Sequence, residues 1–178
     1  MSIIDKVVAA VTPPESESER LEAREKAAAA ATPGDWLSLA IEHHEDIEAA
    51  FAVVGDATSA SEQLAAQKRL ATLLTGHSIA EEAVLYPALA DSGEKGHATA
   101  AYSEQSAAKM QMAMLEKLEP LSQEYNDKLE HIRGAIIHHM YEEEGNWFPS
   151  IKKNVPQAEQ QRLTTRYLEL MSHPVVYE

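Results

Sequence analysis

The chain has 178 residues, enough for one domain with a core of its own, and its 29 acidic against 15 basic residues give a net charge of −14. That excess opposes DNA, RNA or an anionic membrane surface as a partner, since each presents negative groups that a binder must neutralise. The absence of cysteine excludes disulfides, thiolate catalysis, iron–sulfur clusters and cysteine-ligated zinc.

Only seven glycines and eight prolines occur. Apolar residues recur at spacings of three and four, with no period-two stretch long enough for a sheet, so the pattern predicts an all-α protein. Residues 2–11 read as a short amphipathic segment with Ile3, Ile4, Val7, Val8 and Val11 on one side. Asp5 and Lys6 interrupt it and no small-residue cleavage site follows, which argues against a secretory signal. Thr12-Pro13-Pro14 stops it, and a helix over Ser16–Ala31 follows, with the run from Ser16 to Lys26 expected to be a solvated face. Four longer helices come next. They run from the N-cap Asp35 to about Val54, from Ser61 to Leu85 with Pro87 ending it, from His97 to Leu118, and from Ser122 to Glu144, ended by Gly145. A last helix begins after Pro156 and carries Leu163, Tyr167 and Met171. Short polar connections favour an up-down four-helix bundle over residues 34–153, with an N-terminal helical extension, 1–33, and a C-terminal helix and tail, 154–178. No apolar run approaches a membrane span, so a cytoplasmic protein is expected.

One internal similarity stands out. His77-Ser-Ile-Ala-Glu81-Glu82-Ala-Val-Leu-Tyr86-Pro87 aligns without a gap on His139-Met-Tyr-Glu-Glu143-Glu144-Gly-Asn-Trp-Phe148-Pro149, keeping His, Glu, Glu, aromatic and Pro at the same offsets. The buried stripes of three helices place these residues. They read Leu37, Ala40, His44, Ile47, Phe51, Val54; then Leu70, Leu74, His77, Glu81, Val84, Ala88; then Tyr125, Leu129, Ile132, Ile136, His139, Glu143, Trp147. Polar residues thus interrupt each apolar stripe midway. A carboxylate buried without a partner costs several kcal/mol or takes up a proton. Two Glu and three His converging on one core call for a cation between them, and a divalent metal meets that need. Residues i and i+4 share a helical face, so His77/Glu81 and His139/Glu143 can each reach one ion or an adjacent pair. Imidazole with carboxylate and no sulfur suits iron or manganese, and Glu81 and Glu143 as bridging carboxylates fit a two-iron centre.

The neighbours read differently. His43 and His138 sit one residue off the stripes and are boundary residues; Glu82 and Glu144 are surface carboxylates or partners of ligands. His131 is expected to be exposed, and His173, near the C-terminus, unrelated to the site. Tyr86 and Phe148, like Trp36 and Trp147, are most simply bundle packing.

With these residues the sequence resembles the hemerythrin-like family, the HHE cation-binding domain, over about residues 35–152. His44-Glu-Asp-Ile47 is similar to the family's first-helix histidine, and the two eleven-residue segments are similar to its second and fourth helices. The resemblance implies a four-helix bundle around a non-haem, oxo- or hydroxo-bridged di-iron centre. In it His44, His77 and His139 would be terminal ligands and Glu81 and Glu143 bridges. Oxygen carriers of the family supply two histidines from the third helix, where this chain has Gln105 and Ala101. Glu104 through its carboxylate, Tyr102 as a hydrogen-bond donor to a bound molecule, Gln105 itself and His97, two turns upstream, are the candidates nearby, as ligands or as partners of ligands. Fewer imidazoles favour ferric iron over reversible oxygen carriage.

A protein that binds, senses or reacts with O₂, peroxide or nitric oxide is the function this implies, with the small molecule entering at an open position near Gln105. An iron store, donor or sensor without redox turnover is a second reading, and a metal-free helical interaction or stress-response module a third. Manganese or a single iron are the alternatives to di-iron. The terminal segments offer a surface for a homodimer or protein partner.

Overall fold

The computed structural model describes residues 15–172. The expectations for residues 2–11 and for His173 lie outside them. Among the described residues there are six helices and no strand. Helix α1 is Glu17–Ala30 and α2 is Trp36–Gly55. Helix α3 comprises Ala60–Ala80, a π-helical turn over Glu81–Leu85, and Tyr86–Asp91. Helix α4 is Lys95–Leu115. Helix α5 comprises Gln123–Glu142, a second π turn over Glu143–Trp147, and Phe148–Asn154; α6 is Gln157–Ser172. None of these helices is long and apolar enough to cross a membrane.

Local chemistry sets the starts. Ser16 with Glu19, and Ser59 with Glu62, form reciprocal capping boxes on α1 and α3, and the Ser122 side chain caps α5 at the Tyr125 amide. Asp35 caps α2 by accepting from the amides of Leu37 (3.0 Å) and Ser38 (2.9 Å). Two expected ends are corrected: α3 runs past Pro87 to Asp91, and α5 past Gly145 to Asn154. In both, the π turn carries the chain over the obstacle. Its wider hydrogen-bonding pattern, Tyr86 amide to Glu81 carbonyl and Phe148 amide to Glu143 carbonyl, delivers each proline to the second residue of a fresh helical segment, where a missing N–H breaks nothing.

The four long helices pack in a ring, α2 on α3, α3 on α4, α4 on α5 and α5 back on α2. Helix α1 lies against α2 and α5, and α6 against α2 and α3. The core is divided into two apolar clusters. One holds Trp36, Leu37, Tyr86, Leu89, Ala101, Phe148 and Tyr167; the other holds Ile47, Phe51, Leu70, Leu115, Tyr125 and Ile132. Each long helix passes from one cluster to the other. The residue at the crossing is polar: His44 on α2, His77 and Glu81 on α3, Gln105 on α4, His139 and Glu143 on α5. A buried polar layer therefore spans the whole bundle.

Helix α6 is stitched on by Gln160. Its side-chain carbonyl accepts from Trp36 Nε1 (2.6 Å), and its amide donates to the Ile151 carbonyl (2.9 Å). The run from Ser16 to Lys26 is not simply a solvated face. Ala23 is buried, and Arg24 reaches into the bundle.

Asp35 also pairs with Lys152 at 2.6 Å. Burial opposes its ionisation, but Lys152 and the amides of Ser38 and Thr32 hold its pKa below the usual 3.8. Asp35→Ala is therefore expected to lower stability by about 1–2 kcal/mol in urea unfolding at neutral pH, mostly the lost cap. Because the folded pKa is the lower one, this contribution is present above pH 3.8 and fades as the pH falls through the folded value. The gap between variant and wild type should narrow on acidification.

Candidate metal centre

The internal similarity in sequence is a similarity in structure. In each segment a histidine lies in the last turn of the α-helical stretch (His77, His139), a glutamate four residues on opens the π turn (Glu81, Glu143), and an aromatic follows it (Tyr86, Phe148). All of the stripe residues expected to bear chemistry are buried: His44, His77, Glu81, His139 and Glu143.

The donor atoms fall into two groups, with Glu81 and Glu143 contributing one oxygen to each. In the first group His77 Nε2 lies 3.1 Å from Glu81 Oε1, and His44 Nε2 lies 3.3 Å from Glu143 Oε2 and 3.7 Å from Glu81 Oε1. These four atoms are all within 4.8 Å of one another. None has a hydrogen-bond partner, although all are fully buried. Four orphaned donors aimed at one point is a costly arrangement in an apolar core unless a cation joins them. In the second group His139 Nε2 lies 3.2 Å from Glu143 Oε1, and the Tyr86 hydroxyl is 2.9 Å from both of these atoms and 3.2 Å from Glu81 Oε2. Gln105 Nε2 donates to Glu81 Oε2 (2.7 Å) and to Tyr86 Oη (2.6 Å).

Carboxylates behind two of the imidazoles fix their orientation. Glu144 Oε1 is 2.7 Å from His44 Nδ1, and Glu104 Oε2 is 2.7 Å from His139 Nδ1. Metal-binding histidines commonly have such a partner on the far nitrogen, because it selects the tautomer and raises the basicity of the near one. Glu144 is in turn gripped by Arg24 of α1, whose Nε and Nη2 lie 3.1–3.2 Å from its oxygens while Nη2 also reaches Glu48 at 2.6 Å.

The imidazoles and carboxylates of the layer shift one another's ionisation. Burial alone would discharge His44, but the surrounding carboxylates of Glu143, Glu144 and Glu81 raise its pKa well above the usual 6.5. His139 is likewise raised to about 10 against burial, by Glu143 and Glu104. Burial works against ionisation of Glu81, yet His77 and His44 hold its pKa below the usual range. Glu143, opposed by burial and by Glu81, is lowered by His139 and His44. Tyr86 is raised well above 10 by burial and by the charges of Glu143 and Glu81. His43 is depressed to about 4 by burial and by His77 and His44; its Nδ1 contacts the Tyr167 hydroxyl at 3.1 Å.

Several expectations are refined. Glu104 does not join the donor groups but backs His139. Tyr102 is exposed and donates to the Glu82 carbonyl at 2.7 Å. His97 pairs with Glu94 at 3.1 Å and stacks on Trp147, outside the donor groups. Gln105 does line the centre, but Tyr86 Oη lies against its amide where an open position was expected. Glu82 pairs with Lys109 at 2.5 Å; His131 is exposed, as expected, and so is His138. Tyr86, read from sequence as packing, is the residue that reading missed. Phe148, its counterpart, does pack, stacking on the His44 ring at 6.0 Å.

A bundle that buries mixed His and Glu donors from facing helices is the architecture of a metal-binding helical protein. The model of the hemerythrin HHE cation-binding domain matches residues 37–151, and the chain belongs to that family. A DNA nickase of Nostoc sp. (strain PCC 7120 / SAG 25.82 / UTEX 2576) is 28% identical over 94 residues, which is 53% of this chain and 27% of that protein. The chain therefore spans about a quarter of that curated relative's length. No solved structure matches it significantly.

Arg24→Leu tests the support behind His44. It leaves the Glu144 carboxylate, 2% exposed, without its cation. The expected loss in metal-free urea unfolding is about 2 kcal/mol, less than the ~3–5 kcal/mol of a fully buried pair, because the Arg24 side chain is 25% exposed. Adding Glu144→Gln should recover part of that loss.

Proposed function

We propose that this chain is a non-haem di-iron protein that binds, senses or reacts with O₂, peroxide or nitric oxide. The observation that carries the reading is the convergence of four buried, partnerless donors, His44 Nε2, His77 Nε2, Glu81 Oε1 and Glu143 Oε2. The second oxygen of Glu143 lies beside His139 Nε2 and that of Glu81 beside the Tyr86 hydroxyl, in the second donor group, which supports a bridging role and a pair of ions. Imidazole and carboxylate without sulfur favour iron, with manganese next. The passage of successive helices between the two apolar clusters, to and fro, supports the up-down order of a four-helix bundle.

Bound iron would supply redox chemistry and a coordination position for a small molecule. The chain's part is to hold and shield that position. His44, His77 and His139 fix the imidazoles, Glu144 and Glu104 orient two of them, and Phe148, Trp147 and Tyr86 line the layer and limit water. A cytoplasmic site of action belongs to this reading. So does the view that α1 and α6, rather than nucleic acid or a membrane, mediate any partner contact, given the net charge of −14. An iron store or donor would share the same ligands and differ in releasing its iron to an apo-acceptor.

Elemental analysis of protein from iron-supplemented cells should find about two iron ions per chain, with near-ultraviolet absorption of bridged ferric iron. Replacing both His77 and His139 with Ala should abolish the iron. Chelation of the wild type should lower its thermal midpoint, by the equivalent of about 2.7 kcal/mol if iron was present at a hundredfold excess over its Kd. Normal iron content in the double variant, or a midpoint indifferent to chelator, would overturn the reading.

A further inference from the structure

The two donor groups differ in one respect that the internal repeat makes visible. Exchanging the two eleven-residue segments maps His77 on His139, Glu81 on Glu143 and Tyr86 on Phe148. The first group has two imidazoles, His44 from α2 and His77 from α3, with Phe148 stacked on His44. The second has one, His139, because α4 contributes Gln105 instead of a histidine. In this half, and not in the other, the repeat's aromatic carries a hydroxyl. That hydroxyl stands among the donors.

The distances are those of ligands that share an ion. Bonds of about 2.1 Å in an octahedral set separate neighbouring donors by about 3.0 Å. Tyr86 Oη is 2.9 Å from His139 Nε2, 2.9 Å from Glu143 Oε1 and 3.2 Å from Glu81 Oε2, and His139 Nε2 is 3.2 Å from Glu143 Oε1. The first group shows the same spacing at 3.1 and 3.3 Å. Gln105 is fitted to a supporting role. Its amide N–H donates to Tyr86 Oη and Glu81 Oε2, so it lends hydrogen bonds to two oxygens that would carry negative charge.

We propose that Tyr86 is a ligand of the second metal, its phenolate oxygen standing in for the imidazole that α4 lacks. This restores four protein donors to each half: two nitrogens and two carboxylate oxygens in one, one nitrogen, two carboxylate oxygens and a phenolate in the other. Coordination requires that the phenol give up its proton to solvent as the cation enters; no electron moves. Gln105 is a positioning residue for that oxygen. The inference rests on the di-metal reading above, and the test separates the two.

The full-length metal-free protein is loaded with ferric citrate, then examined for iron content, visible absorption and resonance Raman scattering. The expected result is a visible phenolate-to-iron charge-transfer band with tyrosinate ring modes. Tyr86→Phe should lose both and should fall from about two irons per chain toward one. That variant places on α3 the residue the repeat already has on α5, so its packing is suited to the site, and circular dichroism of the metal-free form checks it. Tyr102→Phe, which alters the exposed neighbouring tyrosine, should keep the band. Wild type that holds iron without a phenolate band overturns the inference and leaves the di-metal reading standing. A band that survives in Tyr86→Phe assigns the phenolate elsewhere and overturns it too. Wild type that binds no iron overturns both. Should Tyr86→Phe fail to fold, a wild type without the phenolate band still overturns the inference.

Discussion

Two glutamates with no exposed surface, Glu81 and Glu143, sit at the centre of a helical bundle, and the rest of the structure is arranged around that fact. Desolvating two carboxylates a few ångströms apart is unfavourable in itself, and their mutual repulsion adds to it. The bundle answers with three imidazoles directed at them from three helices, and with hydroxyl and amide donors from Tyr86 and Gln105. Carboxylates behind His44 and His139 complete the layer. Apolar packing above and below excludes water and so raises the stakes of every contact within it. The same exclusion leaves four atoms with nothing to bind, which is why the layer reads as a receptacle and not as a structural network.

How legible this was from sequence follows from the range of the interactions. Helical periodicity reports which residues share a face, so the stripes bearing His44, His77, Glu81, His139 and Glu143 were readable, as was the cap at Asp35. Periodicity says nothing of partners far along the chain. The contact of Arg24 with Glu144 spans 120 residues, and that of Glu104 with His139 spans 35. Glu104 was noticed for its charge, as a ligand or a ligand's partner, and only its contact with His139 Nδ1 decides between the two. Pro87 and Gly145 were read as helix ends because a proline or glycine normally stops an α-helix, and a π turn that carries the chain through has no separate sequence signal. Tyr86 was read as packing because its repeat counterpart is Phe148: two aromatics at matching offsets look alike, and only the position of one hydroxyl separates them.

The halves of the centre are alike in backbone and unlike in chemistry. The π turns, the His–Glu spacing and the following proline recur, so the scaffold is near-symmetric. The outer donors are not. His44 is held by Glu144 and, through it, by α1, which lies outside the ring of four helices, whereas His139 is held by Glu104 from within that ring. One half is thereby tied to the N-terminal extension and the other to the bundle itself. Ordering of α1 and orientation of the His44 imidazole are two ends of one hydrogen-bonded chain.

The π turns have a consequence for how the helices are used along their length. An α-helix advances about 100° per residue, so one extra residue in a turn rotates everything after it by roughly that angle without moving the axis. Each of α3 and α5 therefore keeps one azimuth for its histidine and a different one for the aromatic and aliphatic residues beyond the glutamate. Leu89 and Ile151 meet the cluster around Trp36 and Tyr167 at an angle the uninterrupted helix would not give them. Deleting one residue from either turn would regularise the helix and cost little in backbone energy. It would also wind the far end out of phase with its neighbours, in the manner of a screw thread cut one step short.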